Sequence, residues 1–239
     1  KLTFPPPGAK LPAPPLMQNI VLEEPYVPVP PRHGSAWSAI LSKALPWFIR
    51  KNYGVAEYEY RHLDRLRASL RAGHGIVLMP NHCRDEDGLV MGMLSCKVGR
   101  WFYYMSSWHV FKMDPFKAFV LPRLGLYSVY REGADRASVK TSIELLSHTS
   151  RPLVIFPEGF LARTNDRLGP LLDGPAFIAR AAARKRAQAH PPSQVVIHPV
   201  AIRYHLRGPL ESSVAPVLAD LETRLQLPDG AKLPLAERV

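Results

Sequence analysis

His82 and Asp87 have the residue types and spacing for acid–base chemistry. They lie in Asn81-His82-Cys83-Arg84-Asp85-Glu86-Asp87, after the apolar run Gly75-Ile76-Val77-Leu78-Met79-Pro80 and before the helix-like run Gly88-Leu89-Val90-Met91-Gly92-Met93-Leu94. An imidazole at the mouth of a buried strand, oriented by a carboxylate, is a general base able to take a proton from a hydroxyl or amine near neutral pH. The spacing sets a condition. On a regular helix five residues turn through about 500°, which leaves the two side chains about 140° apart. They meet only if Arg84-Asp85-Glu86 forms a turn and the helix starts near Asp87. Taken alone, His-x4-Asp also fits an ordinary polar strand-to-helix loop.

Two neighbouring chemistries are weaker. Cys83 stands beside His82, but adjacent side chains point apart in helix and strand alike, so the imidazole would not reach the thiol. A small packed thiol is the better reading. His82, Glu86 and Asp87 could begin a metal site, with His109 and His198 elsewhere, but the spacing offers no convincing third and fourth ligand. No metal and no cofactor is therefore expected.

Three further segments stand in order along the chain. Gly125-Leu126-Tyr127-Ser128-Val129-Tyr130-Arg131 is a short β-like run that delivers an arginine. Phe156-Pro157-Glu158-Gly159 ends the strand-like Pro152-Leu153-Val154-Ile155. Val195-Val196-Ile197-His198-Pro199-Val200-Ala201-Ile202 is an apolar strand with a proline inside it. Together, Asn-His-x4-Asp, Gly-x5-Arg, Phe-Pro-Glu-Gly and the Pro-Val strand resemble the glycerophospholipid acyltransferases, the family of lysophosphatidic acid and glycerol-3-phosphate acyltransferases. The resemblance runs from about Gly75 to Tyr204.

That resemblance implies roles. His82 would deprotonate the acceptor hydroxyl and Asp87 would orient and stabilise the imidazolium. The donor would be an acyl thioester, acyl-CoA or acyl-carrier protein, serving as co-substrate. Arg131 would hold the acceptor's phosphate through its planar fork of donors. Glu158 would order the acceptor or the adjacent arginines, Gly159 would let backbone amides approach a ligand, and Arg163 would add a cation. The chain also departs from the family. Where Thr-Arg-Ser-Arg commonly follows Phe-Pro-Glu-Gly, it has Phe160-Leu161-Ala162-Arg163. Where Phe-Lys-x-Gly commonly comes next, it has Leu171-Leu172-Asp173-Gly174. Cations and hydroxyls expected near the acceptor phosphate are thus replaced by apolar groups or an acid, and only Arg163 survives.

Composition adds a partner. A chain of 239 residues holds one α/β domain of ordinary size with appendages. A net charge of +11 implies an anionic partner. The arginines and lysines are interleaved with apolar residues, and no zinc-finger spacing or RNA-binding motif is present, so an anionic membrane surface is favoured and nucleic acid is not expected. Two cysteines, Cys83 and Cys96, make no disulfide framework and suit a reducing compartment. No uncharged apolar run reaches the roughly 18 residues of a membrane span. The expected place is the cytoplasmic face of a membrane, as a peripheral protein. The chain opens on Lys1 and not on methionine, so it reads as a fragment, and a missing targeting segment proves little.

The elements that must position these residues follow an α/β rhythm. Strands are expected at 75–80, 101–106, 126–130, 152–156 and 195–203, and helices at 87–97, 115–123, 135–148 and 175–189. This alternation predicts a mainly parallel central sheet flanked by helices, with ligands gathered at the carboxyl ends of its strands. Residues 1–34, dense in proline, read as an extended arm. Residues 35–72 read as an N-terminal helical segment suited to contact a membrane: Ser35 to Arg50 carries Trp37, Ile40, Leu41, Ala44, Leu45 and Phe48 at helical spacing, beside Trp47, Lys43, Arg50 and Lys51. The alternative is that this stripe packs on the catalytic domain. Ser35 should cap the helix and Pro46 should kink or end it. A second helix is expected over Arg61 to Arg71. Residues 73–239 form the α/β domain, with a helical tail over Ser212 to Gln226.

The preferred activity is acyl transfer to a lysophospholipid such as 1-acylglycerol-3-phosphate, in phospholipid biosynthesis. The alternatives are an acceptor lacking that phosphate and a catalytically silent lipid-binding member of the fold.

Overall fold

The computed structural model describes residues 24–131, 133, 135–227, 230 and 233–238. Most of the expected Pro-rich arm therefore lies outside the described residues. Two compact units divide at Ile202 and Arg203. The first is an α/β unit built on a five-stranded, all-parallel sheet of order β3-β2-β4-β1-β5. Its strands are β1 (Gly75–Pro80), β2 (Tyr103–Ser107), β3 (Leu126–Val129), β4 (Leu153–Val154) and β5 (Val195–Val200). The second carries α8 (Leu210–Arg224) and α9 (Leu235–Arg238), joined by a two-pronged ion pair from Arg238 to Glu222 at 2.8 and 3.0 Å.

Composition suits the places of two of these strands. Gly75-Ile76-Val77-Leu78 is apolar on both faces and wholly buried, as an interior parallel strand must be. Pro199, which has no N–H to give a ladder, sits in β5, and among the described residues β5 pairs only with β1, at the edge of the sheet. β2 starts later than its apolar run suggests because the Phe102 carbonyl accepts from the Arg151 guanidinium at 2.9 Å, and Tyr103 is the first residue to pair with β4.

The helices are α1 (Ala36–Tyr53), α2 (Leu63–Arg71), α3 (Asp87–Val98), α4 (His109–Lys112), α5 (Pro115–Arg123), α6 (Arg136–His148) and α7 (Asp173–Ala187). Right-handed crossovers put α3, α4 and α5 on one face of the sheet, since β1→β2→β3 all step one way. The return steps β3→β4→β5 put α6 and α7 on the other. There Val77, Tyr127, Leu145, Leu146, Leu153, Ile178 and Ala182 make the main core. Under α7, the buried Arg186 ties the helix to the carbonyls of Leu146, Gly73 and Thr149, a clamp that no motif announced.

α1 departs from one expectation and narrows another. Ser35 takes the N-cap position, but its hydroxyl caps nothing; the Ser35 carbonyl accepts from Ala39 N at 2.9 Å. Pro46 does not end the helix, which runs seven residues further before Gly54 closes it at φ 71°. Pro46 is exposed, so water can take the carbonyl that loses its intrahelical donor.

Residues 24–34 run beside the edge strand β3. Val29 exchanges bonds with Ser128: Ser128 N donates to Val29 O at 3.0 Å, and Val29 N donates to Ser128 Oγ at 2.8 Å. This covers an otherwise open edge. The Tyr26 hydroxyl donates to Asp135 Oδ2 at 2.9 Å, and burial first of all pushes it up to about 12. Burial also acts to raise Asp135, but the N–H groups of Ser138 and Tyr130 and the Tyr26 hydroxyl outweigh it and hold this carboxyl below its ordinary value. A depressed folded-state pKa adds stability above the unfolded value, and that stability is lost as pH falls through the folded one. Asp135→Asn should therefore lower the unfolding temperature at neutral pH and shrink the gap to wild type in strong acid. Parallel thermal melts across pH 2–7 check this.

Candidate active site

All the motifs end on one side of the sheet. His82 follows β1, Ser107 ends β2, Arg131 follows β3 and Glu158 follows β4, so they gather at the carboxyl edge, where parallel sheets place their ligands. His82 and Asp87 meet. Arg84 to Glu86 make a turn, α3 begins at Asp87, and Asp87 Oδ2 lies 2.9 Å from His82 Nδ1. The same oxygen accepts from the backbone N–H of Cys83 at 2.6 Å and of Arg84 at 2.9 Å. A carboxylate that accepts three bonds on one oxygen fixes the tautomer: Nδ1 carries the proton and Nε2 is the basic atom. Asp87 is fully buried, whereas the His82 side chain is 24 % exposed. Phe156 stacks on the imidazole, with centroids 4.1 Å apart and planes 26° apart, and sets the ring's orientation.

Glu158 faces inwards. It is 1 % exposed, and its oxygens accept from two backbone donors, Oε1 from His82 N at 2.8 Å and Oε2 from Gly169 N at 2.8 Å. The buried carboxylate thus ties the histidine loop to the Phe-Pro-Glu-Gly turn, whereas the sequence suggested contact with an acceptor or with arginines. The His82 carbonyl accepts from Ala162 N at 2.8 Å, a second tie. Gly159 has φ 71°, a left-handed backbone that favours glycine, and a Cβ there would stand 2.5 Å from Leu172 Cδ1 and push that side chain aside. Leu172, found where the family commonly has lysine, packs over that turn.

Arg131 reaches the same turn and donates to the Gly159 carbonyl. Burial lowers its pKa from the ordinary arginine value. Arg163 is not brought to the others. It is exposed, in left-handed backbone at φ 54°, with no bond to another site residue among the described residues.

Three residues have partners that the sequence reading did not name. Asn81 clasps the chain beyond β5, giving Nδ2 to Ile202 O at 3.1 Å and accepting Ile202 N at 2.6 Å. Its place in the Asn-His pair was the available signal. Phe156, the stacking partner, was visible only as part of a turn motif. His109, which opens α4 two residues after β2, bonds Ser107 Oγ through Nδ1 at 2.9 Å, and burial and then the Arg131 charge lower its pKa.

Cys83 is a buried thiol pushed up to about 11, mainly by burial and further by the Asp87, Glu158 and Asp166 carboxylates. That is the opposite of an activated nucleophile. Glu86 forms an ion pair with Arg84 at 2.6 Å, and among the described residues no group of three His, Cys, Asp or Glu is placed to hold a metal ion.

The first unit is thus a three-layer parallel α/β fold with an aspartate-held histidine at the carboxyl edge of its sheet. A family model described as Acyltransferase matches residues 59–203, and the chain belongs to that acyltransferase family. No curated protein matches it significantly. Among the described residues no helix is long and apolar enough to cross a membrane.

Proposed function

We propose that this acyltransferase moves a fatty acyl group from an acyl thioester, acyl-CoA or acyl-carrier protein, to the hydroxyl of a lysophospholipid such as 1-acylglycerol-3-phosphate, a step of phospholipid biosynthesis at a membrane surface. The observation that carries the reading is the His82–Asp87 pair, with Nδ1 engaged at 2.9 Å and Nε2 left as the base. Nε2 takes the acceptor hydroxyl's proton as the oxygen attacks the thioester carbonyl. The tetrahedral intermediate collapses with loss of the thiolate. The thiolate takes the proton back from His82, giving an ester, a free thiol and the original enzyme. Asp87 stabilises the imidazolium in between.

Arg131 is the phosphate anchor in this reading. A guanidinium has five donors, and the Gly159 carbonyl occupies one. One observation favours the second reading, an acceptor without phosphate: Leu172 caps the turn where a cation is common, and Arg163 stands apart. Two free cysteines, Cys83 and Cys96, suit a reducing compartment and so the cytoplasmic face of that membrane.

The test is incubation with labelled acyl-CoA and a panel of lysolipids with and without a phosphate monoester, with products identified by mass. Lysophosphatidic acid should be acylated fastest; product from phosphate-free acceptors alone would install the second reading, and no product from any acceptor would leave a silent lipid binder. Arg131→Ala should raise the KM for lysophosphatidic acid about 10- to 100-fold, since a charge-assisted hydrogen bond is worth roughly 1.5–3 kcal/mol. The donor KM and the rate with monoacylglycerol should move little. An equal loss on both acceptors would assign Arg131 to supporting the Gly159 turn.

A further inference from the structure

We propose that α5 is a membrane-contacting helix and that it joins the outer stripe of α1 in one face that docks on an anionic lipid bilayer beside His82. This deepens the lipid-acceptor reading and rests on it only for its purpose. The face differs from the stripe the sequence drew. Ile49 is fully buried, Leu41 and Leu45 are half-buried, and Trp37 is taken up in packing, its ring edge-to-face with Phe119 at 5.5 Å. What α1 turns outward is Ile40, Trp47 and Phe48. The Trp37–Phe119 contact brings α5 alongside, and there Phe116, Phe119 and the preceding Met113 are also turned outward. These six side chains are 41 to 67 % exposed. Large apolar groups concentrated in this way mark an interaction surface.

Charge says which partner. α1, α4 and α5 carry Lys43, Arg50, Lys51, Lys112, Lys117 and Arg123 and no acidic residue. Both long helices set a cation on an outward aromatic ring: Lys51 lies over Trp47 at 4.9 Å and Arg123 over Phe119 at 3.4 Å. Aromatic rings edged by cations sit at the headgroup boundary of a bilayer, with the rings in the acyl region and the charges among anionic phosphates. Two carboxylates border the face, Glu24 against Lys112 and Asp114 against Lys117. They leave Lys43, Arg50, Lys51 and Arg123 to meet anionic lipid.

The face adjoins the site from two sides. Arg84, two residues after His82, donates to the Tyr53 carbonyl at 3.4 Å, so the last turn of α1 meets the histidine loop. α5 begins just beyond the carboxyl end of β2 and returns toward β3, so Met113 and Phe116 lie at the same edge of the sheet. A bilayer held here would present its lysolipids to His82 sideways, without their leaving the membrane.

Flotation of the purified chain with vesicles of phosphatidylcholine, alone or mixed with phosphatidylglycerol, tests the proposal. Wild type should float with the mixed vesicles and much less with the neutral ones. Met113→Ser/Phe116→Ser should cut the partition coefficient about tenfold or more, as removal of two apolar anchors predicts, and Trp47→Ser/Phe48→Ser should do the same. Thermal melts report whether each variant folds. Hydrogen exchange on wild type needs no variant, and residues 113–123 and 40–51 should gain protection on mixed vesicles. No flotation of wild type, or no protection of 113–123, would overturn the proposal. So would an α5 variant that floats normally but converts a dimer to a monomer, since the face would then belong to a second copy. Binding is read without substrate. Normal flotation with no acyl transfer would sink the reaction and leave the docking face standing.

Discussion

His82→Ala should slow acyl transfer about 10²–10⁴-fold while the protein stays folded, which a continuous assay of released thiol and a thermal melt together would show. The rate should fall because Nε2 is the only basic atom that Asp87 orients, at 2.9 Å through Nδ1. The fold should survive because the side chain is part-exposed and Asp87 keeps two backbone donors, Cys83 N and Arg84 N. Asp87→Asn should be as slow and less stable. Its amide accepts more weakly than a carboxylate, brings an NH2 group into a fully buried place, and loses charge-assisted bonds worth roughly 1.5–3 kcal/mol each. Turnover at the wild-type rate by folded His82→Ala would remove this histidine from the chemistry.

The contrast between these two residues shows what a sequence can carry. The meeting of His82 and Asp87 was legible as a condition, because a helix repeat forbids the contact and a turn over Arg84 to Glu86 restores it. The sheet was legible from the alternation of strand and helix, but its order was not, although the edge place of β5 accounts for the proline inside Val195–Val200. Periodicity could not say which side of α1 is covered. Its stripe holds Trp37 and Phe48 together, yet Trp37 is taken up by α5 and Phe48 faces outward. That division depends on a helix some eighty residues away in the chain. The arm from 24 to 34 hid its partner similarly, since nothing in Tyr26 or Val29 names Ser128.

Glu158 marks the limit most clearly. A glutamate in a turn beside a histidine reads as a ligand for substrate, because turns are exposed and carboxylates seek water. Its buried position depends on Gly169, which offers its N–H from an irregular loop and is itself confined: a Cβ there would stand 2.8 Å from Glu158 Oε2. No local pattern connects the two. If His82 is the base, the bond from His82 N to Glu158 Oε1 gives Glu158 a positioning role, exerted through the His82 backbone. Glu158→Gln should therefore lower kcat about 10²-fold with acceptor and donor KM nearly constant, since misplacement of a catalytic group by about 1 Å costs that much. It should also cost about 1–3 kcal/mol of stability, because a carboxamide offers one oxygen to two buried N–H donors. Glu158→Asp, shorter by one methylene, cannot span His82 N and Gly169 N together and should be no better. The split between kcat and KM decides the role. If the acceptor KM rose in Glu158→Gln while kcat and the melting temperature held, the carboxylate would be touching the acceptor, as the turn motif alone suggests. If kcat fell with both KM values unmoved, the strut between the two loops would be what keeps His82 in line with the thioester.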